Sequence, residues 1–161
     1  MDTLENLLAD PGIVRLEAVL GPRELPNRRL FGTQDFVRWL DGQVRQQEPS
    51  PSGAETTPLE QIDDLFHRYS TGGFLAHRRE FRCVKVEKNP VWELKTVDVR
   101  IFGWFPAKDC FVCVFGDFAD RVKDHDLYRG YRLEIRRMRR EMGIKEDLCG
   151  MGGAPSDVIS F

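Results

Sequence analysis

NPVWELKTVDVRIFGWFPAKDCFVCVFGDF, from Asn89 to Phe118, is the stretch that decides the fold. It reads as three short strands, Val91–Lys95, Val99–Phe105 and Cys110–Phe115. Turns at Thr96-Val97-Asp98 and Pro106-Ala107-Lys108-Asp109 separate them. All three are rich in β-branched and aromatic residues and are bounded by Pro, Gly and Asp. Connections this short require antiparallel neighbours, because a parallel return needs a dozen residues or more. Along the middle strand Arg100, Phe102 and Trp104 share one face, while Val99, Ile101, Gly103 and Phe105 share the other. Lys95 and Arg100 are thus cations rooted in an otherwise apolar sheet, five positions apart across a tight turn, where their ends can converge.

Upstream, Leu4 to Leu8 has room for a turn or two of helix, and Ile13 to Leu20 alternates as a strand before Gly21-Pro22. Arg23 to Gly32 reads as a loop. Thr33 is a good N-cap for an amphipathic helix to Gln47, with Phe36, Val37, Leu40 and Val44 at helical spacing. The segment 48–58, rich in Pro, Ser and Gly, reads as a flexible linker with no large apolar anchor. Thr57, Pro58 and Glu60 then form a capping-box signature for a second helix, whose buried stripe is Leu59, Ile62, Leu65, Phe66 and Tyr69. Two helices joined this way predict a helical hairpin. Beyond the strands, Asp124 or Asp126 opens a last helix to about Met142, with a core seam of Tyr128, Tyr131, Ile135, Met138 and Met142. The expected fold class is α+β: a small antiparallel sheet, a helical hairpin packed on it and a C-terminal helix. The expected organisation is an extension at 1–12, one domain at 13–142 and a loosely ordered tail at 143–161.

Hydrophobic residues make up 41% of the chain and charged residues 31%, enough for one core in 161 residues. No apolar run approaches the roughly 20 residues of a membrane helix. The acidic N-terminus lacks the basic start of a secretory signal, and four cysteines outside any disulfide spacing fit a reducing cytoplasm. The net charge of −2 conceals a split: residues 67–142 hold 17 Lys/Arg against 11 Asp/Glu, whereas residues 1–66 hold 6 against 12. A basic half of this kind suits a polyanionic partner.

Phosphate-loop, dinucleotide and serine-hydrolase signatures are absent. Cys110 and Cys113 lie three apart on a strand, so they point to opposite faces and cannot grip one ion; no metal site is expected. What remains is cationic. Arg121, Lys123, His125 and Tyr128 follow the last strand closely enough to join Lys95 and Arg100. Cleavage of a phosphodiester by its own 2′-hydroxyl needs a proton acceptor, a proton donor and cations around the phosphorane. Lys, Arg, His and Tyr supply all three. Arg78, Arg79, Arg82, Lys85 and Lys88 before the sheet, and Arg129, Arg132, Arg136 and Arg139 on the last helix, are the candidate RNA-binding residues.

The segment from about Phe36 to Met142 resembles the RelE/ParE/HigB superfamily of bacterial toxins from type II toxin–antitoxin modules, phage-borne relatives included. FVRWL at Phe36–Leu40, EFRCVK at Glu80–Lys85, VWELKTVDVRIFGWF at Val91–Phe105 and CFVCVFGDF at Cys110–Phe118 carry the likeness. The resemblance implies a RelE-like fold and cofactor-free endoribonuclease activity on mRNA held by the ribosome. It further implies control by a cognate antitoxin and a cytoplasmic setting without a membrane. Arg100 would match the sheet arginine at the scissile phosphate, and Lys95 the basic residue ending the preceding strand. Ala119-Asp120 stands where the family often has two lysines, with Arg121 and Lys123 displaced. The alternative is a non-nucleolytic protein of the same fold, a gyrase-poisoning ParE-type toxin or a phage accessory binder.

Overall fold

In the computed structural model, which describes residues 2–150 and 152–160, the chain begins with α1 (Leu4–Leu8), β1 (Ile13–Arg15) and β2 (Arg29–Thr33). It continues through α2 (Gln34–Trp39), a π-helical extension (Leu40–Val44) and α3 (Pro58–Ser70). Next come β3 (Phe81–Cys83), β4 (Trp92–Lys95), β5 (Val99–Ala107) and β6 (Cys110–Phe118). Last are α4 (Ala119–Asp124), α5 (Tyr128–Glu141), a 3-10 turn (Glu146–Leu148) and α6 (Pro155–Val158). The strands form one mixed sheet in the order β1-β2-β6-β5-β4-β3, so the fold is α+β.

The sheet corrects the expectation of a small antiparallel one. β4, β5 and β6 are antiparallel as read, but β2, expected as loop, runs parallel to β6 with Arg29 opposite Cys110 and Gly32 opposite Cys113. Its five residues include a glycine and are too few to show a period; only pairing with a distant strand makes them β. The strand expected at Ile13–Leu20 shrinks to the three residues that face β2. β5 runs past Pro106 because the ladder is already irregular between Trp104 and Ala107, where a missing N–H costs nothing. β6 runs through Gly116, where a Cβ would fall 2.2 Å from the Trp39 ring. A glycine that reads as a stop is here a packing position.

Alternation along the strands divides the core in two. Val99, Ile101, Phe105, Phe111 and Cys113 join Phe36, Ile62, Leu65 and Tyr69 from α2 and α3. Phe102, Trp104, Cys110, Val112 and Val114 join Leu7, Val122 and Ile135 from α1, α4 and α5 on the other face. Cys110 and Cys113 fall in opposite cores, as strand geometry requires. In the stretch 143–161, expected as a loose tail, the described residues near its end are fastened instead. Val158 and Ile159 are fully buried, and Arg28 donates to the Ser160, Tyr69 and Gly73 carbonyls.

Residues 48–58 are also tied down, by hydrogen bonds rather than apolar contact. Asp98, buried in the β4–β5 turn, accepts from Ser50 Oγ at 2.5 Å, Ser52 Oγ at 2.6 Å and Gln61 Nε2 at 2.6 Å. Gln61 Oε1 in turn accepts from Thr96 Oγ1 and the Asp98 amide, each at 3.0 Å. The capping box at Thr57 and Glu60 sets the start of α3 and so places Gln61. One carboxylate therefore locks the turn, α3 and the intervening segment together. Burial opposes its ionisation, but hydrogen bonds from Ser50, Ser52 and Gln61 outweigh burial and hold its pKa below 3.8. The folded state gains stability above pH 3.8 and loses it as pH falls through the depressed value. Asp98→Asn, which leaves inward donors unmatched, should cost about 2 kcal/mol at pH 7 in urea unfolding, with the gap closing in strong acid; equal stability at pH 7 would contradict the lock.

Candidate functional site: a cation pair at the β4–β5 turn

Register places Lys95 directly opposite Arg100 at the end of β4 and β5, with Asp117 of β6 opposite Arg100 on its other side. Like charges facing each other across an antiparallel pair are unfavourable. The Asp117 carboxylate is committed elsewhere: it accepts from Arg121 Nε at 3.0 Å, Tyr131 OH at 2.5 Å and the Phe118 amide at 2.8 Å. Among the described residues neither Lys95 nor Arg100 has an ion-pair partner. Lys95 Nζ donates to the Arg78 carbonyl at 3.1 Å. Arg100 is only 5% exposed, and its Nη1 donates to the Thr96 and Val99 carbonyls at 2.6 and 2.9 Å. Its Nε has no hydrogen-bond partner among the described residues.

Both side chains line one cavity of about 550 Å³ between α3 and the turn, together with Arg79, Arg68, Glu80, Glu60 and Asp64. The acids there are spoken for. Arg68 takes Asp64 and Glu80, and Glu60 accepts the Thr57 amide in the capping box. Arg79, Lys95 and Arg100 have no ion-pair partner among the described residues, and with four cations against three acids the lining keeps a small positive excess. Arg78 beside them holds φ at 73°, a left-handed conformation uncommon for arginine, and presents its carbonyl to Lys95. Burial, together with the neighbouring Arg100, Arg82 and Lys123, holds the Lys95 ammonium below its usual 10.5, with Glu93 acting in the opposite sense. An amine so placed gives up a proton more readily than a surface lysine.

The other expected residues disperse. Arg82 pairs with the fully buried Glu93 and lies over the Tyr128 ring at 5.1 Å, so Tyr128 sits behind an arginine rather than in the cavity. Arg121 is bound to Asp117, Lys123 lines a separate cavity with Asp120 and Asp124, and His125 is exposed at the end of α4. Arg132 and Arg136 both hold Glu87, and Lys88 holds Glu146. Arg139 is turned inward beneath the 3-10 turn, donating to the Asn89 and Cys149 carbonyls; burial pushes it down to about 10. Lys85, Arg78, Arg79 and Arg129 are exposed. Sequence reasoning missed Arg68, Gln61, Glu80 and Asp98 as the frame of the cavity. The capping box located α3, but no local signal says which turn its polar side meets.

Among the described residues, no group of three or more His, Cys, Asp or Glu side chains is placed to hold a metal ion, and no helix is long and apolar enough to cross a membrane. No protein-family model matches the chain, and neither a curated protein nor a solved structure matches it significantly.

If Arg100 holds the Lys95 pKa down across the strand pair, Arg100→Ala should raise it. The Nζ resonance of isotopically labelled lysine, followed by NMR against pH, reads this directly. An unchanged or lower Lys95 midpoint in the variant would show that the two cations do not face one another.

Proposed function

We propose that the protein is a toxin-type endoribonuclease of the RelE/ParE/HigB kind, which cuts mRNA held by the ribosome and is restrained by an antitoxin in the cytoplasm. The observation that carries this reading is the buried Arg100, without an ion-pair partner among the described residues, facing Lys95 on a cavity that Arg79 also lines. A buried arginine without a carboxylate partner, in a partly dehydrated site, favours phosphate. The antiparallel β4, β5 and β6 followed by helices fit the expected order and support the same reading, while β2 and β3 lie outside it.

In this scheme Arg100 and Arg79 hold the non-bridging oxygens of the scissile phosphate. The 2′-oxygen attacks phosphorus as the P–O5′ bond breaks, leaving a 2′,3′-cyclic phosphate and a 5′-hydroxyl. Lys95, with its depressed pKa, takes the 2′ proton as the free amine and, as the ammonium so formed, delivers a proton to the leaving O5′. Tyr128 and His125 stand further off, as proton carriers or contacts for a long substrate. An antitoxin that covers this cavity would silence the site by supplying the missing acid.

A second reading, a non-nucleolytic binder such as a gyrase-poisoning ParE-type toxin or a phage accessory protein, draws on Glu93 and Asp117. These acids neutralise Arg82 and Arg121 on the same side of the sheet. The two readings separate in one experiment. On translating ribosomes the wild-type protein should shorten mRNA, and Arg100→Ala should cut at least about a hundredfold more slowly. Intact mRNA with the wild-type protein, or cleavage unaltered by the substitution, would remove the nuclease reading.

A further inference from the structure

An aromatic ring that the fold does not use is carried by a segment bonded to the cavity wall. Phe74 is 73% exposed although both its neighbours are fixed: Leu75 is buried, and the Gly73 amide donates to the Arg68 carbonyl at 2.8 Å. The Phe74 carbonyl accepts from Arg68 Nη1 at 3.2 Å, and the same arginine holds Glu80 and lines the cavity. The Phe74 main chain is thus joined through one arginine to the wall that carries the cations. Val97, 62% exposed at the tip of the β4–β5 turn, lines the cavity directly. Among the described residues no ring contact engages Phe74.

We infer that Phe74 is a nucleobase-stacking subsite, so that the cavity takes the backbone of a single-stranded polynucleotide while a neighbouring base lies on the Phe74 ring. The inference rests on the phosphate-binding reading of Arg79, Lys95 and Arg100 and adds what that reading lacks, a means of preferring unpaired strands. A base inside a duplex is already stacked on both faces and cannot cover an exposed phenyl ring; an unpaired base can, and every base has a face to offer. The rigid attachment of residues 73–75 limits the entropy lost when the ring is covered. Val97 supplies a second apolar contact across the cavity. The subsite is therefore tolerant of base identity and intolerant of base pairing.

Fluorescence anisotropy with a short unstructured oligoribonucleotide, the same length as a blunt duplex, and an abasic strand tests this. Wild-type protein should bind the unpaired strand in preference to the other two. Phe74→Ala should weaken that binding roughly tenfold and erase the preference, while leaving duplex and abasic binding unchanged; Phe74→Trp should retain it. Arg100→Ala should weaken all three ligands together. Loss on Arg100→Ala with no effect of Phe74→Ala would overturn the stacking subsite and leave the phosphate site standing. Indifference of every ligand to Arg100→Ala would remove the phosphate site beneath it.

Discussion

Lys95 and Arg100 confront each other across β4 and β5, and the chain places no acid between them. Such a pair survives only because the surrounding structure holds it. Asp98 fastens the turn to α3 through Gln61 and to residues 50–52 through two serines, so the strand ends cannot splay to relieve the repulsion. The Thr96 and Val99 carbonyls take up part of the Arg100 guanidinium. Under the proposed reading, an incoming phosphate would offset this repulsion.

Many of the other arginines are paired. Arg68, Arg82, Arg121, Arg132, Arg136 and Arg137 each pair with a carboxylate, and Arg139 is capped by backbone carbonyls. Against that background an unpaired, buried arginine on a cavity is informative, whereas a row of exposed ones would not be. The same comparison narrows the working surface. The arginine stripe of α5 largely braces the 87–89 segment and the 3-10 turn, so the site gathers around the β4–β5 turn rather than spreading along the last helix.

Much of the fold was legible where the local code is strong. Thr57, Pro58 and Glu60 announced α3, and alternation in Val99–Phe105 assigned the two faces that the two cores now occupy. What escaped was non-local. β2 exists through its parallel pairing with β6, Gly116 through its contact with Trp39, and α6 through the burial of Val158 and Ile159. None of these has a signature within its own window. The site followed the same rule. Lys95 and Arg100 were conspicuous as cations among apolar neighbours, and their convergence followed from a tight turn. Arg121, Lys123, His125 and Tyr128 were close in sequence, yet α4 carries them onto separate surfaces. The acid that claims Arg82 comes from the neighbouring strand, so sequence proximity could not foretell it, whereas Asp117 lies only four residues from Arg121.

The central claim is that Arg100 is the anchor for a nucleic-acid phosphate. The most direct measurement is NMR of ¹⁵N-labelled arginine Nε groups during titration with a short single-stranded oligoribonucleotide. The account predicts that the Arg100 Nε–H signal moves first and furthest, with Arg79 following and the inward-facing Arg28 and Arg139 unmoved. Binding of the RNA with the Arg100 signal unchanged would contradict it.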